Sequence, residues 1–347
     1  MLSIPNMLII KSVDRNVDAT NIACALIRRL VEEPVILIQI DVNSPPDADL
    51  DSDRLLAAGA REVIRVPATR ETLREDLAAA LSRLPANVRL LCPSPWIREV
   101  VRPGVFLAAC SGDTLPPSAP QTVQTDLIVR WNGQDLDLAP TELGFRRGRW
   151  TLRQDATAVV LAGGGSARMG RCKALLSARD GKPLIQHTIE GLEPYFREIL
   201  ISTNAPESFA FLGRPMVPDT TTDRGPMEGI ASSLAAASMD RVFVIACDVP
   251  DPDIDLMMAL LREARGRDGA VPMTPAGHME PVFAVYTKAI LPRLRAALDR
   301  GEKRIIRAFD EDAMAFPRLP SEDHIRSFNH PAEYEAWFSQ EEPDTVA

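Results

Sequence analysis

The chain has 347 residues, 46% of them hydrophobic and 25% charged, and a formal net charge of −9 at pH 7. That length exceeds one average domain and falls short of three, so two domains with sizeable cores are expected. The negative balance argues against a general nucleic-acid binder, which needs a positive footprint to displace counterions from phosphates.

The opening MLSIPNMLIIKSVDRN has no basic stretch before its short apolar run and no small-residue cleavage site, and no segment reaches the length of a membrane span. A cytoplasmic protein with no membrane partner is expected. The five cysteines, Cys24, Cys92, Cys110, Cys172 and Cys247, are odd in number, scattered and free of any C-x-x-C pair, so reduced thiols are expected. Cys24 and Cys247 lie in apolar runs and read as core.

In chain order, the first half alternates strand-like and helix-like segments. MLII (7–10) precedes a helix from about Ala19 to Leu30; VILIQI (35–40) precedes a helix near Arg54 to Ala58; EVIRV (62–66) precedes a long amphipathic helix from Arg70 to Leu84. This is an α/β unit of its own. The stretch DTLPPSAPQTVQTD (113–126) is rich in proline and polar residues, and few apolar runs follow before Arg153. The expected division is therefore a first domain at 1–112, a linker at 113–154 and a second domain at 155–340.

The strand ending MLIIKS, the helix after it, and the D-x-x-R-x-x-x-A-G-A pattern of Asp51–Ala60 resemble the MobB-type guanine-nucleotide-binding adaptors of molybdenum cofactor assembly. Where those adaptors carry a glycine-rich phosphate loop, this chain reads KSVDRNVDATN, with no glycine and with Asp14 and Asp18 facing any would-be phosphate. Two carboxylates repel an anion, so the half is expected to have lost nucleotide binding and to serve a structural or docking role.

The second half alternates too: TAVVLA (157–162), a helix through Pro183 to Leu192, EILIST (198–203), a helix after Pro226, and RVFVIAC (241–247). This pattern predicts a mostly parallel sheet with helices on both faces, a three-layer α/β domain whose ligands lie beyond the carboxyl ends of the strands.

At the first such end stands LAGGGSARMGRCK. Leu161 and Ala162 close the apolar run, and Gly163, Gly164 and Gly165 remove every Cβ from the turn, so backbone N–H groups can approach an anion. Arg168 and Lys173 supply charge, one as a planar fork and one as a point. Glycines alone also suit a ligand-free strand-to-helix turn. Asp248 ends RVFVIAC, where a buried carboxylate needs a partner: either Mg²⁺, which takes one or two carboxylates and completes its shell with water and phosphate, or a helix whose N-terminus it caps ahead of Pro250. Asp219 follows a short strand-like run, and Gly225-Pro226 opens a helix with Glu228 in its first turn. Asn204 ends EILIST and is equally suited to a turn. His187 reads as a core or surface histidine, and His278 and His324 lack metal-site spacing.

The motif LAGG…S-x-R-M-G-x-x-K, with C-D-x-P at Cys247–Pro250 and D…G-P-x-x-G-I from Asp219 to Ile230, resembles the nucleotidyltransferases of glycosyltransferase-A-like, Rossmann-like fold, and most closely the molybdenum cofactor guanylyltransferases (MobA). The resemblance implies transfer of GMP from GTP to molybdopterin, with Mg²⁺ as cofactor and molybdoenzyme apoproteins or their chaperones as downstream partners. It places Lys173, Arg168 and Asp248 in catalysis, Asp248 on the metal, and Leu161 to Gly165, Asn204, Asp219, Gly225 and Pro226 on the nucleotide. On the acceptor side it places Glu280 of MEPVFAVY, Arg304 and Arg307 of GEKRIIRAF, and Asn329 of SFNHPAEYEAW. For the GEKRIIRAF arginines, a solvated basic face is the plainer alternative. The chain departs from the family in Cys172, where an acid precedes the lysine, in Met227 for leucine, in Ser327 for asparagine and in His330 for threonine. Rival readings are a cytidylyltransferase for the same pterin, a sugar-1-phosphate nucleotidyltransferase, or a non-catalytic cofactor-delivery scaffold.

Overall fold

The computed structural model describes residues 1–13, 17–30, 34–41, 48–85, 87–111, 125–138, 142–163, 172–321, 324–325, 327–328 and 330–339. The chain divides into two compact units, one from Met1 to Arg153 and one beginning at Gln154. No helix among the described residues is long and apolar enough to cross a membrane.

The first unit contains β1 (Leu2–Ser12), α1 (Ala19–Arg29), β2 (Val35–Asp41), α2 (Ala48–Ala57), β3 (Glu62–Pro67), α3 (Leu73–Leu81), β4 (Arg89–Cys92), β5 (Val101–Cys110), β6 (Leu127–Arg130) and a hairpin of β7 (Leu143–Arg146) with β8 (Arg149–Leu152). Its sheet runs β3-β2-β4-β1-β5-β6 with every pairing parallel. Successive residues of β1 serve opposite faces, as strand geometry requires: Leu8 and Ile10 pack with α1, Met7 and Ile9 with α3. The third helix is shorter than the amphipathic pattern suggests. Thr69 and Thr72 exchange backbone-to-hydroxyl bonds of 3.0 and 3.2 Å, which fixes a turn there and starts the helix after it.

Most of residues 113–154 differ from the expected linker, because their described part up to Arg153 is built into the first unit, while Gln154 already opens β9. Leu127–Arg130 extends the sheet alongside β5, and the Asp126 carboxylate accepts from the Phe106 N–H at 2.8 Å. Trp150 is fully buried, its indole N–H donating to the Leu90 carbonyl at 3.0 Å. Strands of four residues leave too short an apolar run to stand out among prolines and polar residues. In the same unit Asp18 caps α1, its carboxylate accepting from the Thr20 N–H at 2.9 Å and pairing with Arg54 at 3.4 Å. A carboxylate thus already occupies the helix terminus where a phosphate would sit; Asp14 lies outside the described residues.

The second unit contains β9 (Gln154–Leu161), α4 (Leu184–Leu192), β10 (Phe196–Ser202), β11 (Met216–Val217), α5 (Pro226–Ala236), β12 (Arg241–Ala246), α6 (Ile254–Glu263), β13 (Gly269–Ala270), β14 (Phe283–Thr287), α7 (Leu291–Asp299), β15 (Met314–Ala315) and α8 (Pro331–Phe338). The sheet order is β11-β10-β9-β12-β14-β13-β15, parallel except where β14 runs against β12 and β13. Ala158 and Val160 of β9, with Phe243 and Ile245 of β12, face α4 and α6; Val159 and Leu161, with Val242 and Val244, face α5 and α7. Three layers result, as the alternation predicts. Register then sets the site: Leu161 pairs with both Ser202 and Ala246, so β9, β10 and β12 end side by side and their following residues emerge together.

Candidate active site

Beyond that shared edge lies a cleft of about 890 Å³. Leu161, Ala162, Gly163, Lys173, Asn204, Asp219, Gly225, Pro226, Asp248 and Glu280, spread over 120 positions of sequence, all line it. Gly164, Gly165, Arg168 and Asn329 lie outside the described residues. Arg304, just before a short turn at Ile305–Ala308, and Arg307, within it, are exposed and are not among the residues lining the cleft.

Lys173 opens a single 3₁₀ turn, Lys173–Leu175, and its ammonium Nζ stands 2.9 Å from Asp248 Oδ2. The same ammonium donates to the Phe328 carbonyl, while the Phe328 N–H donates to the Asp248 carbonyl at 3.2 Å. Lys173 and Asp248 are 20% and 16% exposed, enough to face the cleft while held from bulk water. The capping alternative for Asp248 is not what the chain adopts: Asp253 caps α6, accepting from the Leu256 N–H at 3.0 Å.

At the other end of the cleft Asn204 and Asp219 form a reciprocal pair, the amide donating to Asp219 Oδ2 at 2.8 Å and accepting from the Asp219 N–H at 2.8 Å. This ties the turns after β10 and β11 together. Gly225, at φ +74°, turns the chain into α5 through a conformation that a side chain would strain, and Pro226 fits the first helical turn. A Cβ on Gly229 would stand 2.7 Å from Ser202 Oγ and 3.4 Å from Asp219 Oδ1, so the helix approaches the strand ends only because that atom is absent.

Among the described lining residues, Asp219, Asp223, Asp248 and Glu280 carry negative charge and Lys173 alone is positive. At that lining a divalent cation would offset repulsion between the carboxylates and a polyphosphate. Asp248 engages Lys173 through one oxygen, and Mg²⁺ asks for only one or two protein carboxylates. No group of three or more His, Cys, Asp or Glu among the described residues forms a self-contained metal cage, so a cation held here completes its shell with water and phosphate oxygens. Burial, reinforced by the neighbouring Asp248 charge, pushes the Cys247 thiol up to about 12, and it sits in the wall as a neutral group. Cys172 lines the same cleft and is exposed.

Two networks escape sequence reading. Glu228 in the first turn of α5 is 1% exposed and receives Arg295 Nη1 from α7 at 2.6 Å. The signal for a partner was the charge itself, buried in an apolar helix; no spacing rule reaches 67 residues along the chain to Arg295. His187 is neither a plain core nor a plain surface residue: its ring nitrogens lie 3.1 Å from Asp180 and 3.2 Å from Asp251. The Asp251 hydrogen bond, helped by Asp180 and opposed by burial, raises its pKa. Asp251 in turn accepts from the Trp337 indole at 2.6 Å, which fastens α8.

The MobA-like NTP transferase domain family matches residues 158–314, inside the second unit. A probable molybdenum cofactor guanylyltransferase of Carboxydothermus hydrogenoformans is 32% identical over 189 residues, which span 52% of this chain and 94% of that protein. A molybdenum cofactor guanylyltransferase of Vibrio cholerae is 34% identical over 158 residues, 45% of this chain and 78% of that protein. Among solved structures, the molybdopterin-guanine dinucleotide biosynthesis protein A of Archaeoglobus fulgidus aligns with 52% of this chain and 96% of its own, at 20% identity and a TM-score of 0.44.

Proposed function

Because the chain belongs to the molybdenum cofactor guanylyltransferase family, with a MobA-like nucleotidyltransferase domain in its second unit, we propose that it transfers GMP from GTP to the phosphate of molybdopterin and releases pyrophosphate. The observation that carries this reading is the meeting of Lys173 and Asp248 at one end of a cleft whose other end is the Asn204–Asp219 pair. The acceptor phosphate attacks the α-phosphorus in line and pyrophosphate leaves, with no covalent enzyme intermediate; holding two anions together and neutralising the transferring group is the whole task. Gly163 and the glycines after it cradle the triphosphate, Lys173 and Arg168 stabilise the leaving pyrophosphate, and Asp248 would hold Mg²⁺. The metal, when bound, withdraws charge from the phosphoryl oxygens. Asn204 and Asp219 present polar groups to the nucleoside, and Glu280 with Asn329 contributes to acceptor binding. The first unit acts as a docking module that binds no nucleotide, and the protein works in the cytoplasm, passing its product to molybdoenzyme apoproteins or their chaperones.

The test is a panel of labelled nucleoside triphosphates with molybdopterin as acceptor, with and without Mg²⁺. Mg²⁺-dependent label transfer from GTP to the pterin supports the reading. Transfer to a sugar phosphate instead, or none from any triphosphate, overturns it.

A further inference from the structure

Helix α7 lies outside the cleft, yet it grips the segment that forms one of its walls at two points. Arg295 Nη1 reaches Glu228 at 2.6 Å and its Nη2 reaches Thr220 Oγ1 at 3.5 Å. Arg224 Nη1 donates to the Leu298 carbonyl at 2.9 Å, near the helix carboxyl end, where the dipole favours a cation. Between these anchors run Asp223, Gly225 and Pro226, with Asp219 just before the first of them, and all four line the cleft. Ser232 completes the network, donating to Glu228 at 3.3 Å and accepting from the Thr220 N–H at 3.2 Å. Thr220 adjoins Asp219, whose other contacts are with Asn204.

We propose that Arg295 is a positioning residue for nucleotide binding: by neutralising the buried Glu228 carboxylate and holding Thr220, it keeps the first turn of α5 and the Asp219 turn in the arrangement that accepts an anionic nucleotide. It rests on the nucleotide-site reading above. Glu228 is 1% exposed, so its charge has no water to screen it, whereas Arg295 is 33% exposed and brings its charge in from the rim. Without the guanidinium, an uncompensated negative charge stands in the first turn of the very helix whose N-terminus lines the cleft, and an incoming polyphosphate meets repulsion there. The bidentate reach to Glu228 and Thr220 needs the planar fork, which lysine lacks.

The experiment measures affinity of the full-length protein for GTP with Mg²⁺ by calorimetry, below each variant's thermal midpoint. Arg295→Met is expected to raise Kd at least tenfold, and Glu228→Gln/Arg295→Met, which removes the orphaned charge, to bring it back to within about threefold of the parent. A Kd unchanged by Arg295→Met in the folded protein, or a double variant as weak as the single, overturns the proposal and leaves the pair as scaffolding. If Arg295→Met does not fold, Arg295→Lys takes its place with an expected loss of threefold or more, and an unchanged Kd is again fatal. Absence of GTP binding by the parent overturns the nucleotide-site reading instead, which separates the two failures.

Discussion

Lys173 Nζ and Asp248 Oδ2 stand 2.9 Å apart, and Phe328 touches both residues through its backbone, so a cation from the first loop and an anion from the end of β12 are clamped at one mouth of the cleft. The carboxylate meets the ammonium through a single oxygen and is a ligand of the kind Mg²⁺ takes. Asp248→Asn keeps the shape and removes that charge. Turnover should fall by about two orders of magnitude or more at saturating GTP, while the thermal midpoint stays close to the parent's. Near-normal transfer in Mg²⁺ would remove Asp248 from the mechanism.

Lys173→Ala takes away charge that serves the ground state and the transition state alike, so KM for GTP should rise and kcat fall together. It also leaves Asp248 without its partner, and a drop of about 2–4 °C in thermal midpoint should accompany the kinetic loss. Steady-state kinetics and calorimetry on one preparation check both. A loss of stability with intact kinetics would make the lysine purely structural.

Base choice follows from unpaired polar groups. A guanine pocket satisfies a ring N–H, an exocyclic amine and a carbonyl, and a cytosine leaves part of that set empty. The expected choice follows from the guanylyl reading proposed above. GTP should exceed CTP by at least about tenfold in kcat/KM, roughly 1.4 kcal/mol of differential binding. Parity in a competition assay would sink the guanylyl assignment and leave the fold standing.

His187 gives a pH-dependent term. Its pKa is raised above the ordinary 6.5 by the Asp251 hydrogen bond and, after the opposing effect of burial, by Asp180. A raised folded-state pKa stabilises fully below the unfolded value and is lost as pH rises through the folded one. His187→Gln should therefore lower the thermal midpoint clearly at pH 6 and much less at pH 9. Because Asp251 also holds the Trp337 indole, limited proteolysis should open α8 in the variant first. Equal destabilisation at both pH values would mean that the ring is held by packing rather than charge.

Much of this was legible in one dimension. Ala158–Leu161 and Val242–Ile245 are continuous apolar runs because parallel strands are buried on both faces, and the pattern alone announces a three-layer domain. Motifs at strand ends are legible for the same reason: a turn after a buried strand has one place to go. Asp18 could be read as hostile to phosphate from its charge, though only the fold shows it capping α1. Other features were set in three dimensions. Whether Asp248 caps a helix or faces a cleft depended on where α6 starts, and Asp253 five residues on took the cap. The short strand Leu127–Arg130 exists because β5 offers it an edge, and its own four residues carry too little pattern to declare it. The partners of Glu228 and His187 were beyond reach, since Arg295, Asp251 and Trp337 arrive from separate helices and loops. Local periodicity records which face of an element is buried; which charge waits on the other side of that face is decided by packing between elements far apart in the chain.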